Sequence, residues 1–218
     1  MRIAYLTAFM LAFMTAPLGA ETITEQRGST AVELELADLA AHPGFAAFLR
    51  DDAMAIADDY AAENARSVRV IDRITRTDGR FASVLRRSEA DLGKPVANIY
   101  VEALVWDGNA EDLIRLDAFF DVGEPRDEAL ILISRHLRQM IGARVWGGKV
   151  DIAYVPLVEQ ATNPDPAVMA NFTLEPGGLA FHYSPFEIAP LKAGQVSILV
   201  PKDIFAPWLN ETGRRALR

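Results

Sequence analysis

From residue 68 to 106 the chain runs largely in period two, apolar against polar, and tight turns break the runs. Thr77-Asp78-Gly79 separates residues 68–75 from 80–88, and Asp107-Gly108-Asn109 closes a third run, 96–106. Turns that short can join only antiparallel strands, because a parallel pair needs a crossover of about a dozen residues or more. This stretch therefore predicts a meander, and the rest of the fold must be built around it.

Before the meander, Ala31-Val32-Glu33-Leu34-Glu35-Leu36 alternates strictly and predicts the first strand. His42-Pro43-Gly44 then punctuates, and residues 45–66 predict an alanine-rich helix with Phe45, Phe48, Leu49, Ala53, Ile56 and Tyr60 at helical spacing. After Glu124-Pro125 the spacing of Leu130, Ile133, Leu137 and Met140 predicts a second helix over 126–141, with Gly142 as its C-terminal cap. Asn163-Pro164-Asp165-Pro166 can open a short helix. Residues 172–174, 178–183 and 195–200 read as strands, and a short helix with a frayed tail follows from 203. The expected fold class is α+β, a largely antiparallel sheet packed by two long helices. Two lobes, 21–95 and 96–218, are expected to share one core.

Residues 1–20 have the pattern of a secretory signal peptide: Met1-Arg2, an apolar run over 3–14, Pro17, and a small-residue end at Leu18-Gly19-Ala20. The expected location is periplasmic or secreted, in a bacterial envelope, with membrane contact only if the leader stays uncleaved. The chain has no cysteine, so disulfides, thiolate metal sites and a cysteine nucleophile are ruled out together. Its net charge of -8 opposes nucleic acid and suits a cationic partner.

The chemical motifs are sparse. No serine lies in a G-x-S-x-G setting, and His42, His136 and His182 are too dispersed to suggest a metal pair. Gly147-Gly148-Lys149 lacks both the first glycine and the Ser or Thr of a phosphate loop, and reads as a turn. Asp51-Asp52 and Asp58-Asp59 share a helical face that reads as solvated rather than calcium-binding. Arg66, Arg69, Arg73, Arg76, Arg80, Arg86 and Arg87 make a basic island in the hairpin. It is open to anionic cell-wall polymer or lipid, or to cross-strand pairing with acids such as Asp72 and Glu89. Asn171-Phe172-Thr173 and Asn210-Glu211-Thr212 match a glycosylation pattern by chance. No catalytic set, metal site or cofactor is expected.

The C-terminal third is more specific. Phe172-Thr173-Leu174, then Gly177-Gly178-Leu179-Ala180-Phe181, Pro185-Phe186-Glu187-Ile188-Ala189-Pro190, Gly194 and the 196–201 run resemble the signature of the RsiV-like family of domains of unknown function. The resemblance extends from about Val96 to Trp208, with Trp106-Asp107 and Leu116 to Asp121 also fitting. Two departures are Gly93-Lys94-Pro95-Val96, where members often carry Gly-Gly-Ala-His, and Phe186, where tyrosine is commoner. The resemblance implies an extracytoplasmic sensing or binding module; one member is the outer part of an anti-sigma factor that binds lysozyme, and others accompany peptidoglycan deacetylase domains.

The expected function is thus non-catalytic recognition of a lysozyme-like protein or a peptidoglycan fragment, with Pro185, Phe186, Glu187 and Pro190 as candidate binding residues. On the residues alone, the same segment reads as a rigid corner between two strands, with Ile188 buried and Glu187 bonded to nearby backbone N–H groups. The alternative function is a peptidoglycan-active enzyme or accessory, with Glu102 and Asp107 in acid/base roles, which requires the two carboxyls to face one cleft.

Overall fold

The computed structural model describes residues 21–218, so the expected leader lies outside the described residues. Six strands form one sheet in chain order: β1 Glu21–Arg27, β2 Thr30–Leu36, β3 Ser67–Thr77, β4 Phe81–Asp91, β5 Asn98–Asp107 and β6 Asp112–Leu113. A second, antiparallel sheet holds β7 Phe172–Glu175, β8 Gly178–Tyr183 and β9 Val196–Pro201. The helices are α1 Pro43–Ala62, α2 Glu124–Trp146, α3 Val155–Ala161 and α4 Glu211–Ala216. The fold class is α+β, and its two long helices are α1 and α2.

The meander is present as β3, β4 and β5, paired antiparallel throughout. One pair departs from the antiparallel rule. β2 and β3 run parallel, and α1 supplies the long crossover that such a pair needs. β1 was not legible in the sequence because it is an edge strand in which only Ile23 is apolar, so its half-buried positions, Ile23, Glu25 and Arg27, show no hydrophobic alternation.

α1 packs on one face of the first sheet. Ala53 and Ala57 let the helix approach Val32, Leu34, Val68 and Val70 closely, and Phe45 stacks on Trp106 with ring centroids 5.3 Å apart. The opposite face contributes Phe81 and Val105 to a second and larger core. There α2 presents Leu130, Ile133, Leu137 and Ile141 to Phe172, Leu174, Leu179, Phe181 and Val200 of the second sheet. The fourth inward position of α2 is Ile141; Met140 is partly exposed, as a period of 3.6 rather than 3.3 dictates.

Gly142 is not the cap expected of it. It lies inside α2, where a Cβ would stand 2.4 Å from the carbonyl oxygen of Gly148, and the helix ends instead at Gly147 in the left-handed region. The short helix expected after Asn163 is reduced to a 3-10 turn over Val168–Ala170.

Polar side chains join the two sheets. The β3–β4 ladder slips at Thr75, and this bulge aims the Thr75 hydroxyl at β7, where it donates to the Leu174 carbonyl at 3.0 Å. Leu174 N–H in turn donates to Ser83 Oγ at 2.9 Å. β5 belongs to the first sheet but is also tied to the second. The Asn171 side chain accepts from Ala103 N–H and donates to the carbonyls of Val101 and His182. Asn171 and Asn210, the two glycosylation-like positions, thus have structural roles; Asn210 caps α4 by accepting from Gly213 N–H.

Candidate functional site at the 185–190 corner

β8 ends at Tyr183, and the chain must turn before β9. Ser184 O accepts from Glu187 N–H at 3.1 Å, with Pro185 and Phe186 as the two central residues. Phe186 has φ +71°. A turn with proline second and a positive φ third ordinarily takes glycine or asparagine at that third place. A left-handed conformation costs a residue with a Cβ about 1–2 kcal/mol. Burial does not compensate, because the Phe186 side chain is 61% exposed.

The rest of the corner is fixed. Glu187 Oε2 accepts from Ser184 N–H at 2.7 Å, and Ile188 and Ala189 are buried in the core beside Tyr183. Pro190 O accepts from Ala193 N–H and begins a 3-10 turn that Gly194 closes at φ +64°. Ser184 Oγ accepts from Val101 N–H at 3.0 Å, anchoring the corner to β5. Partial burial holds the Glu187 carboxyl above the usual carboxylate range, against the pull of its backbone hydrogen bond.

The corner forms one wall of a groove of about 280 Å³, with Pro185, Phe186 and Leu191 facing Lys94, Val96 and Ile99. Val96, exposed by 45%, adds to its apolar surface. Of the four residues singled out in the sequence, Pro185 and Phe186 line the groove, while Glu187 and Pro190 brace the corner. The groove itself was not legible from sequence, since its second wall lies some ninety residues upstream.

The other candidates separate. Glu102 and Asp107 sit on β5 five positions apart in an unbroken register, so their side chains project from opposite faces of the sheet and do not flank a common cleft. Asp107 is held below the usual range, chiefly by its paired hydrogen bonds from Arg80 at 2.9 and 2.6 Å. Glu102 is raised, first by burial and then by the charge of Asp52, although Arg86 opposes the shift.

Most of the arginine island is ion-paired, Arg69, Arg80 and Arg86 across strands and Arg76 and Arg87 to an acid two residues along the chain. Arg86, only 1% exposed, binds both oxygens of Asp72, one of Asp52 and the Leu49 carbonyl. Arg69 meets Glu33 and Glu35, Arg76 meets Asp78, and Arg87 meets Glu89. Arg66 and Arg73 form no ion pair among the described residues. On α1, Asp52 and Asp58 each bind an arginine, so the acidic face is only partly solvated.

A third cluster lies on the face of the second sheet turned away from α2, where Thr173 and His182 are buried. Thr173 Oγ1 donates to Glu175, so it accepts from His182 Nε2 at 2.8 Å, which leaves Nδ1 to accept from Ser197 Oγ at 2.9 Å. Burial, aided by the positive charge of Arg73, lowers the His182 pKa to about 4. The arrangement resembles a serine–histidine relay, but neither the 185–190 groove nor the hollow at the β1–β4 end of the first sheet reaches Ser197. Its physical effect is to pin three strands together. No group of acidic or histidine side chains among the described residues is arranged to hold a metal, and no described helix is long and apolar enough to cross a membrane.

A family model described as a protein of unknown function, DUF3298, matches residues 121–203, the segment from α2 to β9 that carries the corner. Among solved structures, the chain is similar to a DUF3298 family protein from Pseudomonas aeruginosa, with a TM-score of 0.64 and 12% identity over 89% of this chain and 95% of that one. It is also similar to a DUF3298 family member from Bacteroides fragilis, with a TM-score of 0.56 and 12% identity over 88% and 92% of the two chains. At that identity the likeness is one of fold. No curated protein matches the chain.

Proposed function

We propose that the chain is a DUF3298 family protein exported to the bacterial envelope, and that it works as a binding module gripping a lysozyme-like cationic hydrolase with the 185–190 corner. One observation carries the reading: Phe186 combines an unfavourable backbone conformation with an exposed aromatic side chain. Strain retained where it does not serve packing points to function, and a rigid exposed aromatic beside an apolar groove is the usual anchor of a protein interface. The net charge of -8 adds long-range attraction to a basic partner. The catalytic alternative loses the carboxylate pair it invoked, since Glu102 and Asp107 face apart.

Calorimetric titration of the purified protein with a c-type lysozyme, at low and at physiological salt, tests this. One-to-one binding that survives physiological salt, and that Phe186→Ala weakens at least tenfold, is the expected result. Binding seen only at low salt and indifferent to Phe186 would reduce the interaction to bulk charge and refute the reading.

A further inference from the structure

The outward-facing edge of β5 is closed almost everywhere by the protein itself. Val101 N–H is taken by Ser184 Oγ, Val101 O and Ala103 N–H by the Asn171 amide, and Val105 O by Ile114 N–H. These residues all have odd numbers, so the strand's alternation turns the N–H and C=O of Ile99 outward too. There no side chain or strand meets them among the described residues, since β6 pairs only with Trp106 and Asp107. Open strand edges are a hazard that proteins ordinarily cover. This one is covered in full at Val101 and in part at Ala103 and Val105, while at Ile99, which lines the groove with Phe186, both main-chain groups are open.

Resting on the binding reading above, we propose that the partner protein enters as an extended segment that adds as a strand to β5 at Ile99. Main-chain hydrogen bonds to Ile99 set its register, and an apolar side chain fills the space between Phe186 and Val96. The next side chain along an extended segment points the other way. It meets Tyr100, which shares one face of β5 with Glu102, a carboxylate that has no ion pair among the described residues. The segment that fits therefore alternates apolar and basic residues. A second copy of this chain fits poorly, because a two-fold pairing at Ile99 sets Ala97 of each copy against Val101 of the other, whose N–H and C=O are already taken, whereas an unrelated segment can continue along the free Ala97 side.

The test follows amide exchange at Ile99 by NMR in the wild-type protein, with three probes: a nine-residue peptide alternating valine and lysine, a c-type lysozyme, and a muramyl dipeptide carrying N-acetylglucosamine. The expected result is that the peptide slows Ile99 exchange at least tenfold. Ile99→Pro, which removes an N–H that β4 does not use, should abolish peptide binding, while Ile99→Ala should retain it. Unchanged exchange with both peptide and lysozyme overturns the proposal. So does protection by the muropeptide alone, which would make the groove a glycan site, or protection that tracks self-association in sedimentation. Lysozyme binding equally to wild type and a folded Ile99→Pro protein would sink strand addition yet leave the Phe186 reading standing. Peptide protection without lysozyme binding would do the reverse.

Discussion

At the scale of single residues, two side chains hold the molecule in unusual states. Phe186 bears a left-handed backbone in a turn suited to glycine. Relief of that strain by Phe186→Gly is partly offset by the greater freedom glycine gives the unfolded chain. A net gain of up to about 1 kcal/mol remains, a rise of roughly 2–4 °C in melting temperature for a chain of this length. His182 is held neutral by burial, its pKa lowered from 6.5 to about 4. The unfolded chain then takes up a proton near pH 6.5 that the folded protein refuses until near pH 4, so stability falls as pH drops through that window. The expected loss between pH 7 and pH 5 is about 2 kcal/mol by denaturant titration. His182→Gln should flatten the profile there; an unaltered slope would show that other groups set it.

Among the elements, β4 and α2 carry the sharpest constraints. β4 brings Arg86 beneath α1, where Asp72 is wholly buried and Asp52 is partly open to water. Removing the buried partner leaves a charge without compensation, so Asp72→Asn should cost about 3–5 kcal/mol. Asp52→Asn should cost about 1 kcal/mol, because water can replace the exposed carboxylate. Equal losses in chemical unfolding would contradict this ranking. In α2, Gly142→Ala would drive a methyl into the Gly148 carbonyl. A loss of about 2 kcal/mol or more is expected, in contrast to the small gain alanine usually gives inside a helix. The sequence marked Gly142 as special but suggested the wrong reason, since a cap and a close tertiary approach both call for glycine, and only the returning chain distinguishes them. Similarly, the inward face of α2 was legible from its period, whereas the polar edge strand β1 left no pattern to read.

For the whole molecule, local periodicity recovered β2 to β5 and β7 to β9, both long helices and the α+β class, because each of those signals lies within a dozen residues of sequence. It could not recover the division into two sheets, the parallel β2–β3 pair, or the seam where Thr75, Ser83 and Leu174 meet, which depend on contacts between segments far apart. The site divides the same way. The 185–190 corner stood out as a motif, but its groove joins that corner to the 92–98 loop and to the free amide of Ile99, and nothing at either place announces the other. The most direct test is the affinity of Phe186→Gly for a c-type lysozyme at physiological salt, measured beside its melting temperature. A protein that melts higher than wild type yet binds at least tenfold more weakly is the predicted result. Unchanged affinity in that variant would mean that Phe186 does not anchor a partner, and the central claim would fall.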